Sequence, residues 1–412
     1  MTGKPFRFSA AFGLGLLIGG PLAAMPASAQ DNQQPVKIGV LTDMNSLYAD
    51  IVGEGSVVGA RLAAEDAGPV LGQPVQVIVG DHQNKADIGS TIVRQWYDTG
   101  GVDMVADGGS SAVALAVEEV SREKHKLVLF NGPATSDITG PRCSPYAAHW
   151  TYDTYSLAHV TGSAIVKSGG RSWFFVGADY AFGHALQRDT AAVVEQSGGK
   201  VLGTVYHPIN TADFSSFLLQ AQASKAQIIG LANAGGDTIN SIKQGAEFGI
   251  VQGGQKFAAL LMFITDVHSL GLKTAQGLQF TSAFYWNMDD ATRAFSRRFF
   301  ERVHHMPTMI QAGVYSATHH YLEAIKALGT KEPEKVMAKM REMPINDFMT
   351  KNGQLRIDGR VVRDMYLVEV KTPAESKEPW DYLKVVEHVP ADQAFRPLDQ
   401  GGCPLVKKAE VK

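Results

Sequence analysis

The sequence has few cysteines and no excess of charge of either sign. Of its 412 residues two are cysteines, Cys143 and Cys403, and 38 basic residues face 41 acidic ones, for a formal net charge of -3. A chain this close to neutral lacks the basic excess that marks nucleic-acid binding. Two isolated cysteines also lack the clustered partners of a metal site or a thiol active site. The composition predicts a folded globular protein with no nucleic-acid partner and no metal.

The chain also lacks any apolar run of the roughly 18 residues that a membrane-spanning helix needs. Its start has Lys4 and Arg7, an apolar run over 10–20 and small residues at 27–29. This order is typical of a cleavable signal peptide. A buried N-terminal helix is the alternative, but the run is short, glycine-rich and followed by polar residues. We expect a signal peptide over 1–29 and a protein exported to the periplasm.

Both cysteines lie downstream of the expected cleavage site, so neither is available there for lipidation. In an oxidising compartment an isolated pair most simply forms one disulfide. Cys143 and Cys403 would then tie the C-terminal tail, residues 391–412, to the middle of the chain. Two unrelated free thiols are the alternative.

Short apolar segments of strand length alternate with helical patterns. Continuous apolar strands separated by amphipathic helices are typical of a parallel sheet covered on both faces. The alternation pauses near Tyr152 and restarts, which predicts an α/β fold with two Rossmann-like parallel-sheet lobes, joined by a hinge of extended crossings. Predicted strands lie at 36–41, 75–80, 102–106, 126–130, 173–176, 201–206, 228–231, 257–261, 277–284, 355–357, 365–370 and 382–386, and predicted helices at 52–67, 88–99, 112–123, 154–167, 182–197, 214–223, 238–248, 291–304, 312–328 and 333–343.

Motifs for common catalytic chemistry are missing. The sequence has no P-loop, no Gly-x-Ser-x-Gly elbow and no His-Glu-x-x-His helix. Gly53, Gly55 and Gly59 loosely resemble a dinucleotide loop, but they follow their strand by about ten residues and are better explained as close contacts of a helix. His319 and Glu323 have the spacing of a metal pair without a third ligand nearby in sequence. We therefore expect neither an enzyme nor a cofactor.

Two turns carry hydroxyl groups at the ends of neighbouring predicted strands. Gly108-Gly109-Ser110-Ser111 follows one strand and opens a helix, and Gly132-Pro133-Ala134-Thr135-Ser136 follows the next. Backbone N–H groups at a helix N-terminus together with hydroxyls suit a carboxylate. Ordinary helix caps are the alternative for each turn alone. The two turns on adjacent strands together predict an anion site at the carboxyl edge of the sheet.

The chain resembles the periplasmic solute-binding proteins of ABC transporters, in the branched-chain amino-acid class that includes the leucine-isoleucine-valine-binding proteins. The resemblance implies the type I periplasmic-binding fold. The similarity covers nearly all of the chain after the signal peptide. The residues that carry it lie at 36–43, 53–67, 109–111, 132–135, 179–183, 213–215 and 312–315, and the tail segments 379–382 and 403–405 resemble a subgroup that binds amino acids or aromatic acids.

The resemblance implies two lobes, with residues 36–152 and 286–344 in the first and 153–285 and 345–390 in the second. It implies a monomeric receptor that closes on a small carboxylate and delivers it to a membrane permease and its ATPase. The alternatives are a receptor that docks to a membrane signalling protein and an exported hydrolase. No residue would be catalytic.

The resemblance also implies ligand contacts. The ligand carboxylate would lie on the two hydroxyl turns, and an aromatic residue before a glycine in the second lobe would cover the ligand. The acidic residue that holds an ammonium group in relatives falls at 260–263, where this sequence reads Leu-Leu-Met-Phe, so only Asp237 or Asp266 is left to replace it. The predicted ligand-binding residues are Ser110, Ser111, Pro133, Ala134, Thr135, Tyr48, Phe182, Tyr152, Asp237 and Asp266.

A buried ammonium without a paired carboxylate costs several kcal/mol. We therefore expect an apolar or aromatic acid in place of a free α-amino acid, although a branched-chain or aliphatic amino acid stays open. The apolar part would lie against Tyr48, Phe182, or Tyr152 and Trp286 near the crossings between lobes.

Overall fold

The structure, a computed structural model, describes residues 1–6 and 34–410, with side chains to residue 407. Most of the predicted signal peptide lies outside the described residues. All elements below belong to one compact unit that begins at Pro35. Within the described part of the chain, no helix has both the length and the hydrophobicity needed to cross a bilayer.

The first sheet has five parallel strands in the order β2-β1-β3-β4-β5. Every residue of β3 and β4 is buried, because helices cover both faces of this sheet. The short edge strand β5 was not predicted. The elements of this region are β1 (Lys37–Thr42), α1 (Gly53–Ala67), β2 (Gln76–Asp81), α2 (Ala86–Asp98), β3 (Met104–Asp107), α3 (Ser111–Lys124), β4 (Leu127–Phe130), a 3-10 turn (Ser136–Thr139) and β5 (Ala147–His149).

The second sheet has four parallel strands in the order β7-β6-β8-β9. Its first helical segment is interrupted by a π-turn, Ala158–Gly162, where one continuous helix was predicted. The elements are α4 (Thr154–Leu157), α5 (Ser163–Lys167), β6 (Ser172–Ala178), α6 (Ala181–Gln196), β7 (Lys200–His207), α7 (Ser215–Ala223), β8 (Ile228–Ala232), α8 (Gly236–Glu247), β9 (Lys256–Ala259), α9 (Ile264–Leu270) and α10 (Leu272–Ala275).

The rest of the chain adds an antiparallel sheet, β10-β13-β14, and a two-stranded ladder, β11-β12. Apolar segments predicted β10, β11, β13 and β14, but they predicted neither β12 nor the antiparallel pairing. The elements are β10 (Gln279–Ser282), α11 (Asp290–Val303), α12 (Met309–Leu328), α13 (Pro333–Glu342), β11 (Gln354–Leu355), β12 (Val361–Val362), β13 (Met365–Val370), β14 (Leu383–Val389), α14 (Ala391–Ala394), a 3-10 turn (Leu398–Gln400) and α15 (Pro404–Glu410).

The glycines of α1 allow close helix packing. A Cβ atom on Gly59 would lie 2.6 Å from the carbonyl oxygen of Gln311 in α12, and one on Gly55 would meet the Gln311 side chain at 2.2 Å. A Cβ at Gly59 would collide with the backbone of α12, and one at Gly55 would require the Gln311 side chain to move. These residues therefore pack two helices together, as the sequence predicts, and α12 joins the core of the first sheet.

The predicted disulfide is confirmed. Cys143 and Cys403 are bonded, with their Cα atoms 5.7 Å apart across 260 residues of chain. Both cysteines are buried, and Val406 packs with them. The bond holds the C-terminal tail against the segment between β4 and β5.

The two parallel sheets have the same strand arrangement. In the first sheet β1 lies between β2 and β3, and in the second sheet β6 lies between β7 and β8. The loops that leave the carboxyl ends of the strands diverge at this point, and such switch points are where open α/β sheets bind ligands. The candidate site lies where these loops from the two sheets meet.

Candidate ligand-binding site

A cavity of about 20 Å³ lies between the strand-end loops of the two parallel sheets. We call the residues that follow the first sheet the first-sheet wall, and those that follow the second sheet the second-sheet wall. The first-sheet wall consists of Tyr48, Ile51, Gly109, Ser110, Ser111, Gly132, Ala134 and Tyr152, and the second-sheet wall of Tyr180, Phe182, Ala234 and Leu261.

The turn after β3 has an unusual backbone. Asp107, Gly108 and Gly109 all have left-handed φ angles of 79°, 84° and 58°. A Cβ on Gly109 would lie 2.0 Å from Nε2 of His82, so glycine is required there. This conformation places Ser110 immediately before helix α3. The Ser110 side chain is 2% exposed, and its Oγ has no hydrogen-bond partner among the described residues.

A network of hydrogen bonds joins this turn to the one after β4. Ser111 Oγ accepts the N–H groups of Ala134 at 3.2 Å and Thr135 at 3.1 Å. Asp107 Oδ1 accepts the N–H of Gly132 at 3.0 Å. Burial raises the pKa of Asp107 to about 6. The two hydroxyl turns are therefore brought together, as the strand order predicts.

Two residues of the second turn, Pro133 and Thr135, are not among those that line the cavity. The carbonyl of Pro133 lies 2.7 Å from Nε2 of His149, and burial lowers the pKa of His149 to about 3, so the ring is neutral at pH 7. Thr135 Oγ1 accepts the N–H of Asp137 and caps the following 3-10 turn. Pro133 and Thr135 thus support the turn in this conformation, whereas Gly132 and Ala134 line the cavity.

Aromatic side chains dominate the rest of the lining. Tyr152 is buried, and its hydroxyl donates to the carbonyl of Gly132 at 2.7 Å. Phe182 is buried at the start of α6. The Tyr48 and Tyr180 hydroxyls are hydrogen-bonded to each other at 2.6 Å across the cavity, and burial raises the pKa values of both. Leu261 completes an apolar surface opposite the serines.

The predicted acidic residues lie outside the cavity lining. Asp237 accepts the N–H groups of Asn210 at 3.0 Å and Thr211 at 2.9 Å, which fixes the loop after β7. Asp266 accepts the N–H of Phe263 at 2.9 Å at the start of α9. Burial raises the pKa of Asp237 to about 6 and of Asp266 to about 7. Neither carboxylate is among the residues that line the cavity.

Trp286 also lies outside the lining, and its indole N–H donates to the carbonyl of Trp380 at 2.8 Å. This hydrogen bond ties Trp286 to the segment before β14.

Polar contacts at the rim join the two sides of the cavity. Asp189 on α6 accepts hydrogen bonds from Ser136 at 2.7 Å and Thr154 at 2.6 Å. Arg188 is paired with Asp137 at 3.2 Å. Gly235, with φ of 58°, approaches the other side so closely that a Cβ would lie 3.0 Å from the carbonyl oxygen of Leu47. The structure therefore shows the walls in contact.

Six lining residues are absent from the predicted ligand-binding residues: Gly109 and Gly132, which lie in the two predicted turns, and Ile51, Tyr180, Ala234 and Leu261. Tyr180 lies in the segment 179–183 that carries the family resemblance, but the covering role was given to Phe182 alone. Ala234 and Leu261 follow β8 and β9 within two residues. A rule that selects the first two residues beyond each parallel strand would have found Tyr180, Ala234 and Leu261.

The fold and the strand-end site place the chain in a known family. Residues 35–377 match the family model described as "Periplasmic binding protein". Because this match covers most of the chain, the protein belongs to that family, and its fold is the type I periplasmic-binding fold that the sequence predicts.

Solved structures and curated relatives agree with this assignment. A periplasmic binding protein from Burkholderia mallei is 52% identical, with a TM-score of 0.88, over 90% of this chain and 99% of that one. A branched-chain amino acid ABC transporter periplasmic ligand-binding protein from Burkholderia xenovorans LB400 is 42% identical, with a TM-score of 0.81, over 90% and 99%. Leu/Ile/Val-binding protein homolog 6 from Brucella melitensis biotype 1 is 24% identical over 81% of this chain and 87% of that protein.

Proposed function

We propose that the protein is a periplasmic receptor that captures a small carboxylate with an apolar or aromatic body and delivers it to the permease of an ABC importer. The observation that carries the ligand class is Ser110. Its buried hydroxyl lines the cavity without a partner among the described residues, and it lies at the N-terminus of a 14-residue helix. A carboxylate would accept a hydrogen bond from this hydroxyl, and the helix dipole would stabilise its negative charge.

The absence of an acidic side chain from the lining supports an acid without an amine. The cavity is lined by hydroxyl, aromatic and aliphatic side chains only. A bound ammonium would lose its hydration on burial, and no lining carboxylate would offset that loss of free energy. The second-sheet wall instead offers Phe182 and Leu261, which suit an apolar body.

Capture requires the walls to separate. The cavity of about 20 Å³ is small for an organic acid, and the two walls are in contact beside it. We propose that residues 36–152 with 286–344 rotate as one lobe against residues 153–285 with 345–390. Ligand contacts with both walls then favour closure, since a ligand shifts such an equilibrium by its differential affinity for the two states. The closed receptor acts as a monomer.

The experiment is a thermal-shift screen of the exported chain after unfolding, removal of bound ligand and refolding. The probes are benzoate, 3-phenylpropanoate, short branched fatty acids and the corresponding α-amino acids. Binding to the folded state raises the unfolding midpoint by mass action. We expect shifts with the amine-free acids.

Ser110→Ala should abolish most of this shift, while Ser216→Ala, a serine exposed on α7, should leave it unchanged. Shifts with α-amino acids alone, or equal shifts in wild type and Ser110→Ala, would contradict the proposal.

A further inference from the structure

A second buried polar site lies away from the cleft, around Arg363. This residue precedes β13 and is 2% exposed. Its Nη2 donates to the carbonyl of Met349 and, at 3.5 Å, to that of Ala283. Its Nε and Nη1 have no hydrogen-bond partner among the described residues. A buried guanidinium with two unused donors is costly, because its lost hydration is not replaced.

Arg363 lines a cavity of about 70 Å³. This volume exceeds the roughly 10–15 Å³ that one water requires. Thr350 is also 2% exposed, and its Oγ1 likewise has no partner within the described part of the chain. Two side chains that line one cavity thus leave three polar atoms unused. The lining also includes three charged residues, Asp289, Lys351 and Asp364.

The neighbouring carboxylates do not form an ion pair with Arg363 within the described residues. Asp364 accepts from His388 at 2.8 Å and from the N–H of Ala391 at 3.1 Å. Asp347 accepts the N–H groups of Met349 and Thr350 at 2.8 and 2.7 Å. Both act on Arg363 only through longer-range attraction.

The third carboxylate, Asp289, is exposed and accepts the N–H of Thr292 at 2.8 Å, which caps α11. Burial lowers the pKa of Arg363 to about 10, so it stays charged at pH 7.

We propose that this cavity binds a small monovalent anion of chloride size, held by Nε and Nη1 of Arg363 and by Oγ1 of Thr350. Water could accept the N–H groups, but it would add no negative charge beside the guanidinium, which the carboxylates of Asp347 and Asp364 attract only at longer range. An anion meets both requirements. Lys351 is exposed and also lines the cavity, and it adds a second positive charge to the lining.

The site joins three segments that are distant in sequence. The segment from β10 to α11 contributes Phe284 to Thr292, the loop before β11 contributes Phe348 to Lys351, and the entry to β13 contributes Arg363 to Tyr366. An ion bound here would hold these connecting segments together. It would therefore stabilise the folded chain independently of the ligand in the cleft.

The test uses bromide, which replaces chloride and is located in crystals by its anomalous scattering. We expect an anomalous peak beside the Arg363 guanidinium. In solution, bromide titrated against isethionate at constant ionic strength should raise the unfolding midpoint with a saturating dependence, by about 1–3 °C at ten times its dissociation constant.

Substitutions of Arg363 and Thr350 test whether the bromide response comes from this cavity. Arg363→Met should remove the bromide response, and Thr350→Val, which keeps the side-chain shape, should weaken it several-fold and so keeps the test valid where the first variant does not fold. Ser110→Ala should leave the bromide response intact, which separates this site from the cleft. Water in place of bromide beside Arg363, or an equal bromide response in Thr350→Val and wild type, would overturn the proposal.

Discussion

The two walls of the cleft are built on the same kind of parallel sheet but present opposite chemistry. The first-sheet wall places the Ser110 and Ser111 hydroxyls at the start of α3, and it binds its own second turn through Ser111 Oγ. The second-sheet wall presents Phe182 and Leu261, and its nearby acid, Asp237, is used by backbone N–H groups. The comparison teaches that strand order fixes where the candidate site lies, whereas the first residues beyond each strand set the chemistry of its walls.

The largest expected effect comes from removing the hydroxyl of the first-sheet wall. Ser110→Ala should weaken binding of the best carboxylate ligand about 10- to 150-fold, because a hydrogen bond to a charged group contributes about 1.5–3 kcal/mol. Thr135→Val should weaken it less, since Thr135 caps a turn outside the lining. Isothermal titration calorimetry measures both. A larger loss in Thr135→Val than in Ser110→Ala would reverse the roles assigned to the two residues.

A second prediction concerns a negative charge added to the second-sheet wall. Leu261 is 3% exposed and lines the cavity, at the position where relatives are expected to hold an ammonium. Leu261→Glu should shift the ratio of affinities for leucine and 4-methylpentanoate towards leucine by about tenfold or more, which is about 1.4 kcal/mol.

The matched control for this shift is Leu261→Gln, which has the same shape without the charge. An equal change of the affinity ratio in both variants would show that charge is not the discriminating property. Competition binding at pH 7 is the measurement.

Two buried acidic residues, Glu118 on the side of the first sheet and Asp237 on the side of the second, differ in their hydrogen bonds. Glu118, in the middle of α3, is fully buried, and neither of its oxygens has a partner among the described residues. Burial raises its pKa from the ordinary 4.5 to about 8. A raised folded-state pKa means that the folded protein holds the proton more tightly than the unfolded chain. The contribution of Glu118 to stability is therefore complete below pH 4.5 and is lost as pH rises towards 8.

Glu118→Gln keeps a neutral side chain at every pH. It should stabilise the protein by about 1–3 kcal/mol at pH 8 and by little at pH 4.5. Asp237→Asn should instead destabilise it, because Asp237 is bound by two N–H groups. Urea unfolding at both pH values measures the difference, with Glu195→Gln, an exposed residue on α6, as control. A gain for Glu118→Gln that does not depend on pH would contradict the assigned pKa.

The smallest expected effect concerns the contact between the walls. Tyr180→Phe removes the hydrogen bond to Tyr48 and should weaken ligand binding about 2- to 12-fold, the cost of one neutral hydrogen bond. The dissociation rate should change more than the association rate. Tyr206→Phe, whose hydroxyl contacts Gln187 within the second-sheet side, is the control and should change neither rate. An unaltered dissociation rate in Tyr180→Phe would show that this contact does not hold the walls closed.

Much of the fold followed from apolar patterning. Strand-length apolar runs predicted all strands of the two parallel sheets except β5, whose three residues Ala147–His149 are too short to show a pattern. Helices α9 and α10 were missed because their segments are short and follow a continuous apolar run at 257–264. The antiparallel pairing of β10 with β13 could not be predicted, since apolar periodicity reports burial and not strand direction.

The site was predictable where local chemistry decided it. Hydroxyls after consecutive strands pointed to Ser110 and Ser111, and the family resemblance pointed to Ala134; all three line the cavity. The hydrogen bond from Tyr48 to Tyr180 joins residues 132 positions apart, and no local pattern reports such a contact. Asp237 and Asp266 were chosen because they are acidic, but their carboxylates are occupied by N–H groups of neighbouring loops, which only the folded structure shows.

The central claim is that the receptor recognises a carboxylate and makes no use of an ammonium group. Its most direct test is isothermal titration calorimetry of ligand-stripped wild-type protein with matched pairs, 3-phenylpropanoate against phenylalanine and 4-methylpentanoate against leucine. We predict that the amine-free acid binds more tightly in each pair. Tighter binding of the amino acid in both pairs would contradict the account and would require an acceptor for the ammonium in the closed cleft.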